Sequence, residues 1–117
     1  MPESTEAVFD RHLEMFMAGN VDGLMADYTE ESYIISPMGT VRGLAALRAF
    51  FEQIMQEFST PGTVFNLDQK VIEGELVFMT WSAETAVNTY SFGADTFVIR
   101  DGKFVGQTFA GVITPKS

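Results

Sequence analysis

The chain has 117 residues and a mass of 13.0 kDa, enough for one domain that buries roughly two thirds of its unfolded surface without a metal or disulfide staple. With 46% hydrophobic residues against 20% charged, and 11 Phe and 7 Met, it is too apolar to stay disordered. The absence of cysteine excludes disulfides, thiolate metal sites and cysteine nucleophiles, and a formal charge of -9 repels phosphate backbones and anionic lipid heads.

Neither nucleic acid nor a membrane is therefore expected as a partner. The segment from Met1 to Ala7 carries polar and acidic residues where a secretory signal is basic and then apolar. No apolar run approaches the roughly 20 residues that span a bilayer. The expected location is the cytoplasm. From Thr5 to Ala18, Val8, Phe9, Leu13, Phe16 and Met17 recur at helical spacing behind Ser4 or Thr5 as a cap. His12 falls inside the apolar arc of this helix, away from Asp10, Arg11 and Glu14. Gly19 and Asn20 end it, and Asp22 can cap a short second helix from Leu24 to Tyr28. Ser32 to Ser36 and Thr40 to Arg42 are extended pieces about the turn residues Pro37, Met38 and Gly39, which predicts a hairpin. A third helix is expected from Leu44 to Phe58, between Gly43 and Pro61.

After Pro61-Gly62 the chain becomes rich in Val, Thr and Phe, with breaks at Glu73-Gly74, near Asn88 and at Asp101-Gly102. That predicts a meander of about four strands. Helices first and strands after give an α+β class, one curved mixed or antiparallel sheet with helices on one face, in a single domain over 1–117. Strict alternation in Phe104 to Ile113 puts Val105, Phe109 and Ile113 on one face and Phe104, Ala110 and Val112 on the other. Both faces are apolar, so a second copy is expected to cover the outer one in a homodimer.

The common catalytic motifs are missing. There is no glycine-rich phosphate loop, dinucleotide fingerprint or nucleophile elbow, and a single His cannot form a His-pair zinc site. No cofactor or metal is expected. What stands out is polar side chains on apolar faces. Asp95 shares its strand face with Phe97 and Ile99. It is either a wet aspartate near Gly93 or a buried acid of raised pKa able to move a proton. His12 is either a core histidine or a partner of Asp95, and Gln107 sits between Val105 and Phe109 in the same ambiguous way. Trp81 and Glu84 must face opposite sides of their strand, in an order the pattern leaves open. Phe50, Phe51 and Met55 can fill a core or line a cavity.

Four segments together carry a family resemblance: 17–24 (MAGNVDGL), 35–39 (ISPMG), Arg42-Gly43 before an amphipathic helix, and 95–103 (DTFVIRDGK). With them the chain resembles the SnoaL-like members of the nuclear transport factor 2 superfamily, whose best understood enzyme is ketosteroid isomerase. The resemblance implies a cone-shaped α+β fold around an apolar cavity that takes an apolar small molecule, commonly in a dimer. Matched motif to motif, the isomerase tyrosine falls on His12, its base aspartate on Ser36 and its donor aspartate on Asp95. The carboxylate that polyketide cyclases of the family carry on the last strand is replaced by Gln107 and Phe109. The implied cavity is bordered by His12, Phe16, Ser36, Met38, Phe51, Asp95, Phe97, Gln107 and Phe109, with Val105 alongside. Two readings remain: an isomerase- or lyase-type enzyme using His12 and Asp95 on a carbonyl compound, or a ligand-binding or protein-interaction module without turnover.

Overall fold

The computed structural model describes residues 3–116. Helix α1 spans Thr5–Met17, with the Ser4 side chain accepting from the Ala7 N–H at 3.0 Å. Helix α2 spans Val21–Met25 rather than Leu24 to Tyr28, because Asn20 and not Asp22 is its cap: the Asn20 amide oxygen accepts from the Gly23 N–H at 2.9 Å. Asp22 instead pairs with Arg48 at 2.9 Å in solvent. Loss of such a cap costs about 1 kcal/mol. Asn20→Ala is expected to lower the unfolding free energy by that amount in urea titration, with Asp22→Ala nearly silent.

Tyr28 therefore opens a strand, β1, over Tyr28–Ser36, four residues earlier than the hairpin pattern suggests. Ser32 makes this possible by accepting from the Thr29 N–H at 2.8 Å and donating to the Phe104 carbonyl at 2.5 Å across an irregular stretch of pairing. Strand β2, Gly39–Arg42, closes the hairpin, and helix α3 runs over Leu44–Phe58 as expected. Gly43 enters it at φ 91°, where a Cβ would also meet the Glu30 carboxylate at 2.6 Å. Strands β3 (Val64–Glu73), β4 (Leu76–Glu84), β5 (Asn88–Arg100) and β6 (Lys103–Pro115) complete one sheet of order β2-β1-β6-β5-β4-β3. All neighbours are antiparallel except β1 and β6, which are parallel. The architecture is α+β, a curved mixed sheet wrapped around the N-terminal helices.

One face of the sheet packs on α1 and α3 through Val77, Met79, Phe97, Ile99 and Phe104 against Val8, Phe9, Leu47 and Phe51, all buried. Phe104 corrects the expected alternation. Ile99 pairs with Phe104 but Val98 pairs with Gly106, so Val105 is an extra, bulged residue. The bulge returns Phe104 to the helix side, fully buried, and takes Val105 out of the cavity wall. On the opposite face Ile35, Val71, Phe78, Phe92 and Val112 remain 41 to 55% exposed. Trp81 faces the helices, and Glu84 the solvent beside Lys116. No helix among the described residues is long and apolar enough to cross a membrane.

Candidate functional site

Between α1, α3, the hairpin and the sheet lies a cavity of about 500 Å³. His12 and Phe16 reach it from α1, Ser36 and Met38 from the hairpin, and Phe51 from α3. Asp95, Gln107 and Phe109 form part of its floor. Phe97 does not reach it. Phe97 lies one layer deeper, fully buried, with its ring 5.3 Å from Phe9, 5.4 Å from His12 and 5.6 Å from Phe104. Phe50 also lines the cavity, whereas Met55 is buried in the core.

Asp95 is 7% exposed. Across the β4–β5 ladder Trp81 is paired with Gly93, and a Cβ there would fall 2.2 Å from the indole. The missing side chain lets the indole lean along β5 and donate its N–H to Asp95 Oδ1 at 3.0 Å. Burial pushes the Asp95 carboxyl up to about 7, with the Trp81 indole and the Gln107 amide pulling the other way. Gln107 is oriented in turn by Tyr28, whose hydroxyl donates to Gln107 Oε1 at 2.5 Å. With that oxygen occupied, the amide offers N–H and not C=O to the carboxylate. Gly93→Ala is expected to displace the indole, costing about 2 kcal/mol as overpacking and returning the Asp95 titration toward that of a carboxyl without its indole donor. Tryptophan emission and a pH titration of the variant check both effects.

His12 lies in a box of rings, with centroids at 4.8 Å to Phe104, 5.4 Å to Phe97 and 6.2 Å to both Tyr28 and Phe51. It makes no hydrogen bond to Asp95, and its Nδ1 is buried without a partner among the described residues. Burial lowers its pKa to about 4, against the weaker pull of the Asp27 carboxylate, which Arg11 holds at 2.8 and 2.9 Å. The imidazole is neutral at physiological pH. Of the two arrangements open to His12 and Asp95, a charged pair and two separate groups, the chain has the second.

Two site residues escape the sequence reading. Tyr28 is hidden by its neighbours Thr29, Glu30 and Glu31, which blur any strand alternation. Glu57 was more accessible: Phe50, Gln53, Ile54, Glu57 and Phe58 recur at helical spacing, and all line the cavity. Glu57 Oε2 accepts from Thr85 Oγ1 at 2.7 Å, Tyr90 Oη at 2.8 Å and Asn88 Nδ2 at 2.9 Å. Burial alone would raise this carboxyl, but the three hydrogen bonds outweigh it and hold it below the usual range. Tyr90, partly desolvated and facing that carboxylate, is pushed up to about 12. Among the described residues no group of three His, Asp or Glu is placed to hold a metal.

A curved mixed sheet wrapped around N-terminal helices is the fold this chain shares with solved nuclear transport factor 2-like proteins. The chain belongs to the SnoaL-like domain family, whose profile matches residues 9–107. A candidate ketosteroid isomerase from Kribbella flavida superposes with a TM-score of 0.78 at 13% identity, over 99% of this chain and 83% of that one. A candidate SnoaL-like polyketide cyclase from Shewanella denitrificans gives 0.75 at 12% identity, over 92% and 90%. A nuclear transport factor 2-like protein of unknown function from Mesorhizobium loti gives 0.75 at 19%, over 96% and 97%. At these identities the likeness is one of fold. No curated protein matches the chain.

Proposed function

We propose that the chain binds an apolar carbonyl compound in the cavity and moves a proton on it, with Asp95 as the exchanging group and His12 as a neutral hydrogen-bonding group in the wall. The observation that carries this reading is Asp95 itself, a carboxyl in apolar surroundings, fixed by the Trp81 indole and titrating at about 7. Proton transfer is most effective from a group whose pKa lies near the working pH. Asp95 as carboxylate removes a proton α to the carbonyl, leaving an enolate and a carboxylic acid. Return of that proton to another carbon completes an isomerisation with no oxidant or cofactor.

Ser36 holds the position that the isomerase resemblance gives to the base. Its hydroxyl accepts from the Met38 N–H at 3.2 Å as part of the turn and cannot take a carbon-bound proton unaided. Turnover of a ketosteroid is expected to be negligible. The test is deuterium incorporation α to the carbonyl of indanone, followed by NMR. The wild type is expected to exceed buffer on the order of a hundredfold, and Asp95→Asn to match buffer. If indanone quenches Trp81 fluorescence without any exchange, the second reading holds, a binding module without turnover. The absence of a hydrogen bond between His12 and Asp95 favours that reading. We infer also a homodimer, supported by the exposed apolar residues on the outer face of the sheet. Light scattering should give twice 13.0 kDa; a monomer mass would overturn it.

A further inference from the structure

We infer that the ligand of this cavity carries a cationic nitrogen, an amine or quaternary ammonium, seated against Glu57 with its apolar body toward Asp95. The inference rests on the cavity being a ligand site and adds the charge of the ligand. Glu57 is its first support. All three of its described donors are neutral and converge on Oε2, and Oε1 has no hydrogen-bond partner among the described residues. No described lysine or arginine pairs with it: Lys116, which reaches the Thr85 carbonyl at 2.7 Å, is held by Glu84 at 2.9 Å. The ionised carboxylate thus lines the cavity without a counter-ion among the described residues.

The walls beside it are the second support. Phe58, next to Glu57 in sequence, lies 5.3 Å from Tyr90 and 6.5 Å from Trp81, and Trp81 lies 5.4 Å from both Tyr90 and Phe65. All four rings line the cavity. Aromatic faces attract a cation and a carboxylate neutralises it, a combination that neither a carboxylic acid nor a phosphate ester can use. The third support is a negative one within the same wall: the ionisable lining residues are His12, Glu57, Tyr90 and Asp95, and none is a lysine or arginine. An anionic ligand would meet two carboxyl groups and no cation.

The single tryptophan, Trp81, lines the cavity and reports occupancy by fluorescence. Four probes share one apolar body: phenylbutylamine, its trimethylammonium analogue, phenylbutanol and phenylbutanoate. At neutral pH the two cations are expected to bind about tenfold tighter than the alcohol, and the carboxylate about tenfold weaker than the alcohol. In Glu57→Gln, with folding checked by circular dichroism, the amine-to-alcohol ratio should fall to about one while the alcohol still binds. The wild-type series stands by itself should that variant fail to fold. Binding of the carboxylate as tightly as the amine overturns the inference, as does an amine preference that survives in E57Q. If the alcohol binds and charge makes no difference, only this inference fails. If no probe perturbs Trp81, the cavity reading fails with it.

Discussion

Asp95→Asn is expected to make the folded chain more stable at pH 8, by up to about 4 kcal/mol, while removing the proton-exchanging group. The ceiling follows from a carboxyl raised from 3.8 to about 7, each unit being worth about 1.4 kcal/mol. The folded state holds this proton after the unfolded state has released it, so the contribution is complete below pH 3.8 and is lost as pH rises toward about 7. His12 works in the opposite direction. Its pKa falls from 6.5 to about 4, so the unfolded state takes up a proton first and stability is lost as pH falls through that window. Between about 4 and 6.5 the two slopes oppose each other and largely cancel. Urea unfolding from pH 4 to pH 8 should show a nearly flat wild type over that range. Asp95→Asn should show stability rising with pH there, and His12→Gln should show it falling. Parallel profiles for all three would remove the basis for calling Asp95 a buried acid.

The largest loss of stability is expected from Phe97→Ala. The ring is fully buried and packs edge-on against Phe9, His12 and Phe104, and truncation of such a core aromatic costs about 3–5 kcal/mol. Phe109→Ala is the control. Phe109 is only partly buried and borders the cavity, so its removal enlarges a space that already exists and should cost about 1–2 kcal/mol. Equal losses at the two positions, measured by urea unfolding, would place Phe97 in the cavity wall after all.

The sequence and structure part company at Phe97 and Val105 for one reason. Period-2 alternation assigns a face but not a depth, and a single bulged residue resets it. Asp95, Phe97, Gln107 and Phe109 do share the helix-facing side, as the pattern suggests, because the β5–β6 register from Asp95↔Phe109 to Phe97↔Gln107 is regular. Phe104 lies beyond the bulge, and there the alternation fails. Long amphipathic elements such as α3 were legible to the residue, since Gly43 before it and Ser59-Thr60-Pro61 after it are local signals. The start of β1 was not, because Tyr28 becomes a strand residue only through its pairing with Phe104, a partner far along the chain. The resemblance to the isomerases placed Asp95 and His12 in one region. It could not show that His12 would sit boxed among aromatic rings without a hydrogen bond to Asp95, each with a pKa displaced in the opposite sense.

The position of β6 bears on how the chain reaches this state. β6 is the last strand in sequence order, yet it lies in the interior of the sheet, antiparallel to β5 and parallel to β1. Before it docks, the sheet is two fragments, β2–β1 and β3–β4–β5, each with a bare inner edge and an apolar face. During synthesis the helices have nothing complete to pack on until Phe104, Gln107 and Phe109 have emerged. Such long-range closure slows folding toward the millisecond-to-second range, and the open edges can template pairing between chains. A nascent chain halted before Lys103 is accordingly expected to be a client for chaperones rather than a smaller folded domain.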